Sequence, residues 1–218
     1  EYGIRDAQES RGLGDVYKRQ ILKRVGAKLI CTTDDPADDL RYHKVAKNIN
    51  DITFLPTFRP DAYCNIFADN WKLNVDKICQ LTGQDTTLKG LVEALRERHS
   101  YFAEMGARAS DHGLLEPYGL KITQKRAEQI FEEAYNKGKK FDIRSTETGE
   151  FISYMMHKFC EMNQERGMVT QIHYGAVRNA NEYLFKNWGA DIGGDVAAES
   201  INIVENLSLI HISEPTRL

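Results

Sequence analysis

Carboxylates, imidazoles and guanidinium groups gather at four places in this 218-residue chain, each at the end of a short apolar run. After Ala27–Cys31 comes Thr32-Thr33-Asp34-Asp35-Pro36, and after Thr53–Pro56 comes Thr57-Phe58-Arg59-Pro60-Asp61. Ser110-Asp111-His112-Gly113 ends the weaker run Ala107–Ser110, and His173 to Asn179 closes the run Met168–Tyr174. An imidazole beside a carboxylate can take and return a proton near neutral pH. An arginine fork can hold both oxygens of a carboxylate ligand. Arg59 is the first candidate for that second task, because Pro60 keeps it extended; an ion pair with a neighbouring acid would use the same group. Arg178 is the second candidate. Asp111-His112 reads as a carboxylate orienting a catalytic imidazole, or as a pair supporting a turn. His173 is either a hydrogen-bonded core histidine or, on the strand face it shares with Gln171, a site residue. Asp34 and Asp35 read as rim carboxylates or, before Pro36, as a helix N-cap. The candidates are therefore His112, His173 and Asp111 for catalysis, and Arg59, Arg178 and Asp34 for substrate binding.

The elements that must position these residues alternate along the chain. Helical patterns run over Ala37–Asn48, Val75–Leu81, Leu88–Met105, Gln124–Lys137 and Glu147–Arg166. Leu88, Leu91, Val92, Leu95, Tyr101 and Phe102 form one apolar stripe. Thr123 suits an N-cap, and Gly106 and Gly167 suit left-handed helix ends. Strands alternating with helices imply an α/β fold, with parallel strands and helices outside. In such a fold the C-terminal strand ends share one face, where active sites gather. Gly113–Ile122 and Asn136–Thr146 read as loops, and Lys137–Lys140 within the second as a solvated charge run. His43, His99 and His157 fall on helices as solvated or structural residues.

A net charge of −3 offers no footprint for nucleic acid or an anionic membrane, and no apolar run is long enough to span a bilayer. Cys31, Cys64, Cys79 and Cys160 make no C-x-x-C pair and read as free, buried thiols in a reducing cytoplasm. The two ends read as non-native. Ser10–Gln20 (SRGLGDVYKRQ) and Leu207–Arg217 (LSLIHISEPTR) are translations, in opposite orientations, of one transposon-library adapter. Residues 1–20 and 207–218 are thus expected to be adapter-derived, with few packed contacts, and residues 21–206 to be an internal fragment.

T-T-D-D-P (Thr32–Pro36), R-P-D (Arg59–Asp61), S-D-H (Ser110–His112) and Q-x-H-x-G-A-x-R-N-x-N (Gln171–Asn181), in this order and spacing, resemble the uronate isomerase family. The resemblance covers Ile21–Asn206 and implies a distorted (β/α)8 barrel of the amidohydrolase type. The expected fold is then a partial (β/α)8 TIM-type barrel with about four central βα units. The implied parent activity is aldose–ketose isomerisation of D-glucuronate to D-fructuronate and D-galacturonate to D-tagaturonate, in cytoplasmic hexuronate catabolism. The fragment alone is expected to be inactive. The implied cofactor is a divalent metal, zinc first, held mainly by a His-x-His and an aspartate that have no counterpart in Ile21–Asn206; His173 is a further candidate ligand. The implied partner is a small sugar acid, with no nucleic acid or membrane, and a homo-oligomer is compatible. After Asn181 the chain departs from the family: Gly189–Asp195 stands where a stretch similar to G-P-D-x-G-F-D-S-I is expected, which suggests a divergent branch. Two rival readings stand beside this one, a metal-dependent hydrolase on the same barrel and a non-catalytic α/β binding module.

Overall fold

Short apolar runs become strands and the amphipathic stretches between them become helices in the computed structural model, which describes residues 20–45, 48–49, 52–189 and 192–197. The order is β1 (Leu29–Cys31), α1 (Arg41–Val45), β2 (Asn48–Ile49), β3 (Ile52–Leu55), α2 (Asp61–Cys64), α3 (Trp71–Thr82) and α4 (Leu88–Glu104). There follow β4 (Ala109–Leu114), α5 (Gln124–Tyr135), α6 (Thr146–Arg166), β5 (Val169–Tyr174), β6 (Ala176–Val177), α7 (Glu182–Trp188) and β7 (Val196–Ala197). Apart from Gln20, the end segments read as adapter-derived lie outside the described residues.

The fold is mixed α/β, built from small sheets. β1 pairs in parallel with β3, Cys31 opposite Leu55, and β4 pairs in parallel with β5, Asp111 opposite Gln171 and Gly113 opposite His173. Single parallel bridges from Asp34 to Phe58 and from Phe58 to Ser110 join the two pairs, so the parallel order is β1, β3, β4, β5. The join is made by main-chain bonds: Arg59 N donates to Asp34 O at 3.0 Å and Asp111 N to Phe58 O at 2.9 Å. It sets Arg59 between Asp34 and Asp111 along the strand ends. β2 and β3 pair antiparallel, as do β6 and β7.

Helices cover one face of β4. Ser110, His112 and Leu114 alternate as buried residues, while Ala109, Asp111 and Gly113 face the other way. On β5, Val169, Gln171 and His173 are exposed on that second face. The core behind the strands draws on Val75 and Ile78 of α3, Leu91, Leu95 and Phe102 of α4, Ile130 of α5, and Phe151, Met155 and Phe159 of α6. Phe58 is fully buried at its centre, edge-on to His99, Phe102 and Phe159 at 5.0–6.3 Å. Thr123 caps α5 by accepting from Arg126 N, and Gly167 ends α6 with φ 62°, a conformation that costs glycine little. Gly106 also has positive φ, 102°.

One buried polar network crosses this core. Asn163 of α6 donates from Nδ2 to Ser110 Oγ and to Thr170 Oγ1, each at 2.7 Å, and its Oδ1 accepts from His99 Nε2 at 2.8 Å. Four elements are thereby tied at one amide. Asn163→Leu is expected to lower unfolding stability by about 3 kcal/mol, since it takes hydrogen-bond partners from the buried Ser110 and His99. Urea unfolding followed by circular dichroism measures this; an unchanged midpoint would show that the network is dispensable.

Three expectations need correction. Among the described residues of the helix expected over Ala37–Asn48, only Arg41–Val45 are helical, and Asn48–Ile49 is a strand. The aspartates are the cause: Asp35, Asp38 and Asp39 accept from the N–H groups of Ala37, Leu40 and Arg41, and these local turns compete with a helix. The third strand continues through Leu114, because β5 pairs along its whole length. Cys31 is exposed, although Cys64, Cys79 and Cys160 are buried and all four are free.

Candidate active site

Arg59 follows β3 and is fixed from behind. Its Nε donates to Asp61 Oδ2 at 2.9 Å, and the same oxygen accepts from Gly113 N at 3.0 Å. Burial raises the Asp61 pKa, against the opposing pull of Arg59 and of the Gly113 N–H. With Nε held, the two terminal nitrogens point at the ends of β4 and β5. Nη2 lies 3.3 Å from His173 Nε2, and Nη1 lies 3.7 Å from Asp111 Oδ2. The other Asp111 oxygen is 2.9 Å from His173 Nδ1. A carboxylate only accepts and a guanidinium only donates, so this geometry places the imidazole hydrogen on Nδ1 and the lone pair on Nε2. Asp111, His173 and Arg59 therefore form a closed set, in which the carboxylate orients the imidazole and the basic nitrogen faces the arginine.

Gly113 makes that approach sterically feasible. A Cβ there would stand 2.7 Å from His173 Nε2, 2.8 Å from Arg59 Nη2 and 3.1 Å from Asp61 Oδ2. These are side-chain ends, so they can yield while the strand stays paired. Gly113→Ala is expected to keep the circular dichroism spectrum but cost at least about tenfold in affinity for a carboxylate ligand, because the arginine and imidazole are pushed apart. Unchanged affinity in a titration would show that the contact is unimportant.

The expected convergence of His112 with Arg59 and His173 is not found. His112 has the opposite strand parity from Asp111 and points into the helix layer. It is buried, stacks on Phe159 at 5.3 Å and accepts from Ser110 Oγ at 2.7 Å. Burial first, then the nearby positive groups, pushes its pKa down to about 3. It stays a neutral packing residue and cannot reach a ligand on the open face. Asp34 does sit on the rim, sharing a cleft with Arg59, Asp61 and Arg178. Its Oδ2 accepts from Thr32 Oγ1 at 2.6 Å, and Thr32 Oγ1 is 2.7 Å from His43 Nε2. Asp35 serves a turn, accepting from Ala37 N and from the Tyr63 hydroxyl. Arg178 lines a cavity of about 360 Å³ together with Arg59, Arg144 and His173, and pairs with Asp195. Asp61, Gly113, Arg144 and Asp195 were not singled out from sequence. The R-P-D motif displayed Asp61, but only the structure shows its partner.

Among the described residues, no group of three or more His, Cys, Asp or Glu side chains is placed to hold a metal ion. His173 offers one free lone pair, and the Arg59 guanidinium already faces it. A cation there would meet a fixed positive charge, so these residues do not by themselves fit a divalent metal.

The glucuronate isomerase family profile matches residues 7–213, nearly the whole chain, reaching into both end segments. The chain belongs to this family. Uronate isomerase of Thermotoga neapolitana is 40% identical over 202 residues, covering 92% of this chain and 44% of that protein. The Staphylococcus haemolyticus uronate isomerase is 38% identical over 192 residues, covering 87% and 40%. The crystal structure of the Thermotoga maritima uronate isomerase superposes with a TM-score of 0.81 at 38% identity, covering 88% of this chain and 42% of that one. Glucuronate isomerase of Caulobacter crescentus superposes at 0.78 with 25% identity, covering 89% and 40%. The chain thus spans less than half the length of the relatives it matches. Among the described residues no helix is long and apolar enough to cross a membrane.

Proposed function

We propose that this chain forms about four central βα units of a (β/α)8 barrel and supplies the carboxylate-reading side of a uronate isomerase site. The reaction is interconversion of D-glucuronate with D-fructuronate and of D-galacturonate with D-tagaturonate. The observation that carries this reading is the Asp61–Arg59–His173–Asp111 set at adjacent parallel strand ends. A uronate differs from a neutral aldose by its C6 carboxylate, and the outward nitrogens of Arg59 suit that group. Isomerisation moves a hydrogen between C2 and C1, which needs a base beside the sugar. His173 Nε2 carries the lone pair for that step, and Asp111 steadies the imidazolium that forms. When a substrate carboxylate draws Arg59 toward itself, Nε2 is released from the guanidinium. Arg178 offers a second cation on the same cavity, and Asp34 accepts from sugar hydroxyls at the rim. The divalent metal, zinc first, falls in this reading to ligands outside the described residues. The ligand is a small sugar acid and the compartment the cytoplasm; a homo-oligomer is compatible.

The test is ketose formation from each uronate, with and without added zinc or manganese. A polypeptide extended to the full length of the relatives is expected to turn over, and the 218-residue chain alone to show none. Turnover by the short chain, or none by the extended one, would refute the reading.

A further inference from the structure

Asp61 holds the side chain of Arg59, and the end of β1 holds its main chain. Arg59 N donates to Asp34 O and Asp34 N to Thr57 O, each at 3.0 Å. The Asp34 carboxylate turns back over the same segment: its Oδ2 accepts from the Thr32 hydroxyl at 2.6 Å and, at the longer distance of 3.4 Å, from Thr57 N. Thr32 has one hydroxyl hydrogen and two acceptors within reach, Asp34 Oδ2 at 2.6 Å and Leu55 O at 3.4 Å. The short contact to a carboxylate, which only accepts, claims that hydrogen. His43 Nε2 lies 2.7 Å from the same Thr32 oxygen, so His43 is the donor there. Hydrogen bonds thus run one way, from imidazole to hydroxyl to carboxylate. His43 is not a solvated histidine, since its side chain is only 11% exposed. The loop that leads to it is fastened from α4. Arg98 donates to Pro36 O and Asp38 O, each at 2.7 Å, and the Tyr101 hydroxyl donates to Asp39 O at 2.6 Å.

We infer that Thr32 and His43 are positioning residues for Arg59, acting through Asp34. This role rests on the uronate reading of Arg59 and adds to it the residues that hold the arginine's main chain. Without the Thr32 hydroxyl, the Asp34 carboxylate loses its one short hydrogen bond in a place that is 14% exposed. A charge in that position turns outward to regain water. The Asp34 main chain moves with it, and the bond from Arg59 N to Asp34 O lengthens. A shift of about 1 Å at the strand end is enough to spoil a two-oxygen grip on a ligand.

Amide hydrogen exchange in the 218-residue chain tests the positioning without any need for activity. Thr32→Val keeps the shape of the side chain and removes its hydroxyl. It is expected to speed exchange at the Asp34 and Arg59 amides about tenfold, while Leu91 of α4 stays within about twofold. Thr32→Ser should restore slow exchange. No acceleration, or equal acceleration at all three amides, would overturn the inference. In a polypeptide extended to the full length of the relatives, Thr32→Val should lower kcat/KM for D-glucuronate about tenfold, with Thr32→Ser within about twofold of the parent. His43→Leu should shift activity in the same direction, and His43→Gln, whose amide keeps an N–H donor, should recover it. In an Arg59→Lys background Thr32→Val should cost less than about twofold, because the fork it positions is gone. The same tenfold loss in both backgrounds would show a general structural role and overturn the inference. An extended parent without turnover would overturn the uronate reading instead, and exchange at Arg59 would still decide whether Thr32 holds that residue.

Discussion

Arg59→Lys, in a polypeptide extended to the full length of the relatives, is expected to lower kcat/KM for D-glucuronate about a hundredfold or more. Charge is conserved in this change, so the effect isolates geometry. Arginine uses its Nε on Asp61 at 2.9 Å and still presents Nη1 and Nη2 toward Asp111 and His173. A lysine ammonium is one nitrogen. If it stays with Asp61 it leaves the carboxylate site, and if it reaches the ligand it leaves Asp61 partly unpaired in a buried place. The two-oxygen grip on the substrate is lost in either case. KM should rise because the remote carboxylate is held less well. kcat should fall too, because in the proposed site the carboxylate is what sets C2 against His173. The measurement is steady-state ketose formation from both uronates. A variant within threefold of the parent would take Arg59 out of the site.

What the sequence displayed of this site, and what it hid, follows from strand parity. Arg59 could be read because a proline fixes the backbone after it. His173 could be read because Val169, Gln171 and His173 share a parity opposite to Thr170 and Ile172, and the latter are the less exposed. Ser110-Asp111-His112-Gly113 carries polar groups on both parities, so alternation alone does not say which pair faces out. The partners that decide it, Asn163 and Phe159, lie some fifty residues away on α6. The sequence pattern therefore groups His112 with His173, although it faces the helices. The long helices were legible because each buries a regular stripe and carries its own N-cap, as Thr87, Thr123 and Ser145 do. The segment after Pro36 was not, because its aspartates satisfy the backbone locally. Asp61 and Asp195 pair with Arg59 and Arg178, a relation that needs coordinates.

Acid should destabilise this chain well above the carboxylate range, and His112 and His99 are the reason. Both are fully or almost fully buried, and both have lowered pKa values caused first by burial; His112 falls to about 3. In the unfolded chain each titrates near 6.5. Between those values the unfolded state binds protons that the native state excludes, so stability must fall as pH falls. The sign is that of depressed groups: the contribution is complete above about pH 6.5 and is lost progressively down to about pH 3. For His112 the limiting slope is about 1.4 kcal/mol per pH unit, and His99 adds to it in the same direction. Asp61, whose pKa is raised by burial, works in the opposite sense. His112→Phe keeps a ring against Phe159 and removes one titrating group. Its stability–pH slope between pH 6.5 and 5 should be shallower than that of the parent by up to about 1.4 kcal/mol per pH unit. Urea unfolding at half-unit steps of pH gives both slopes. A parent whose stability is flat from pH 7 to 5 would mean that the histidines titrate alike in the folded and unfolded chain, which the buried stack of His112 on Phe159 does not allow.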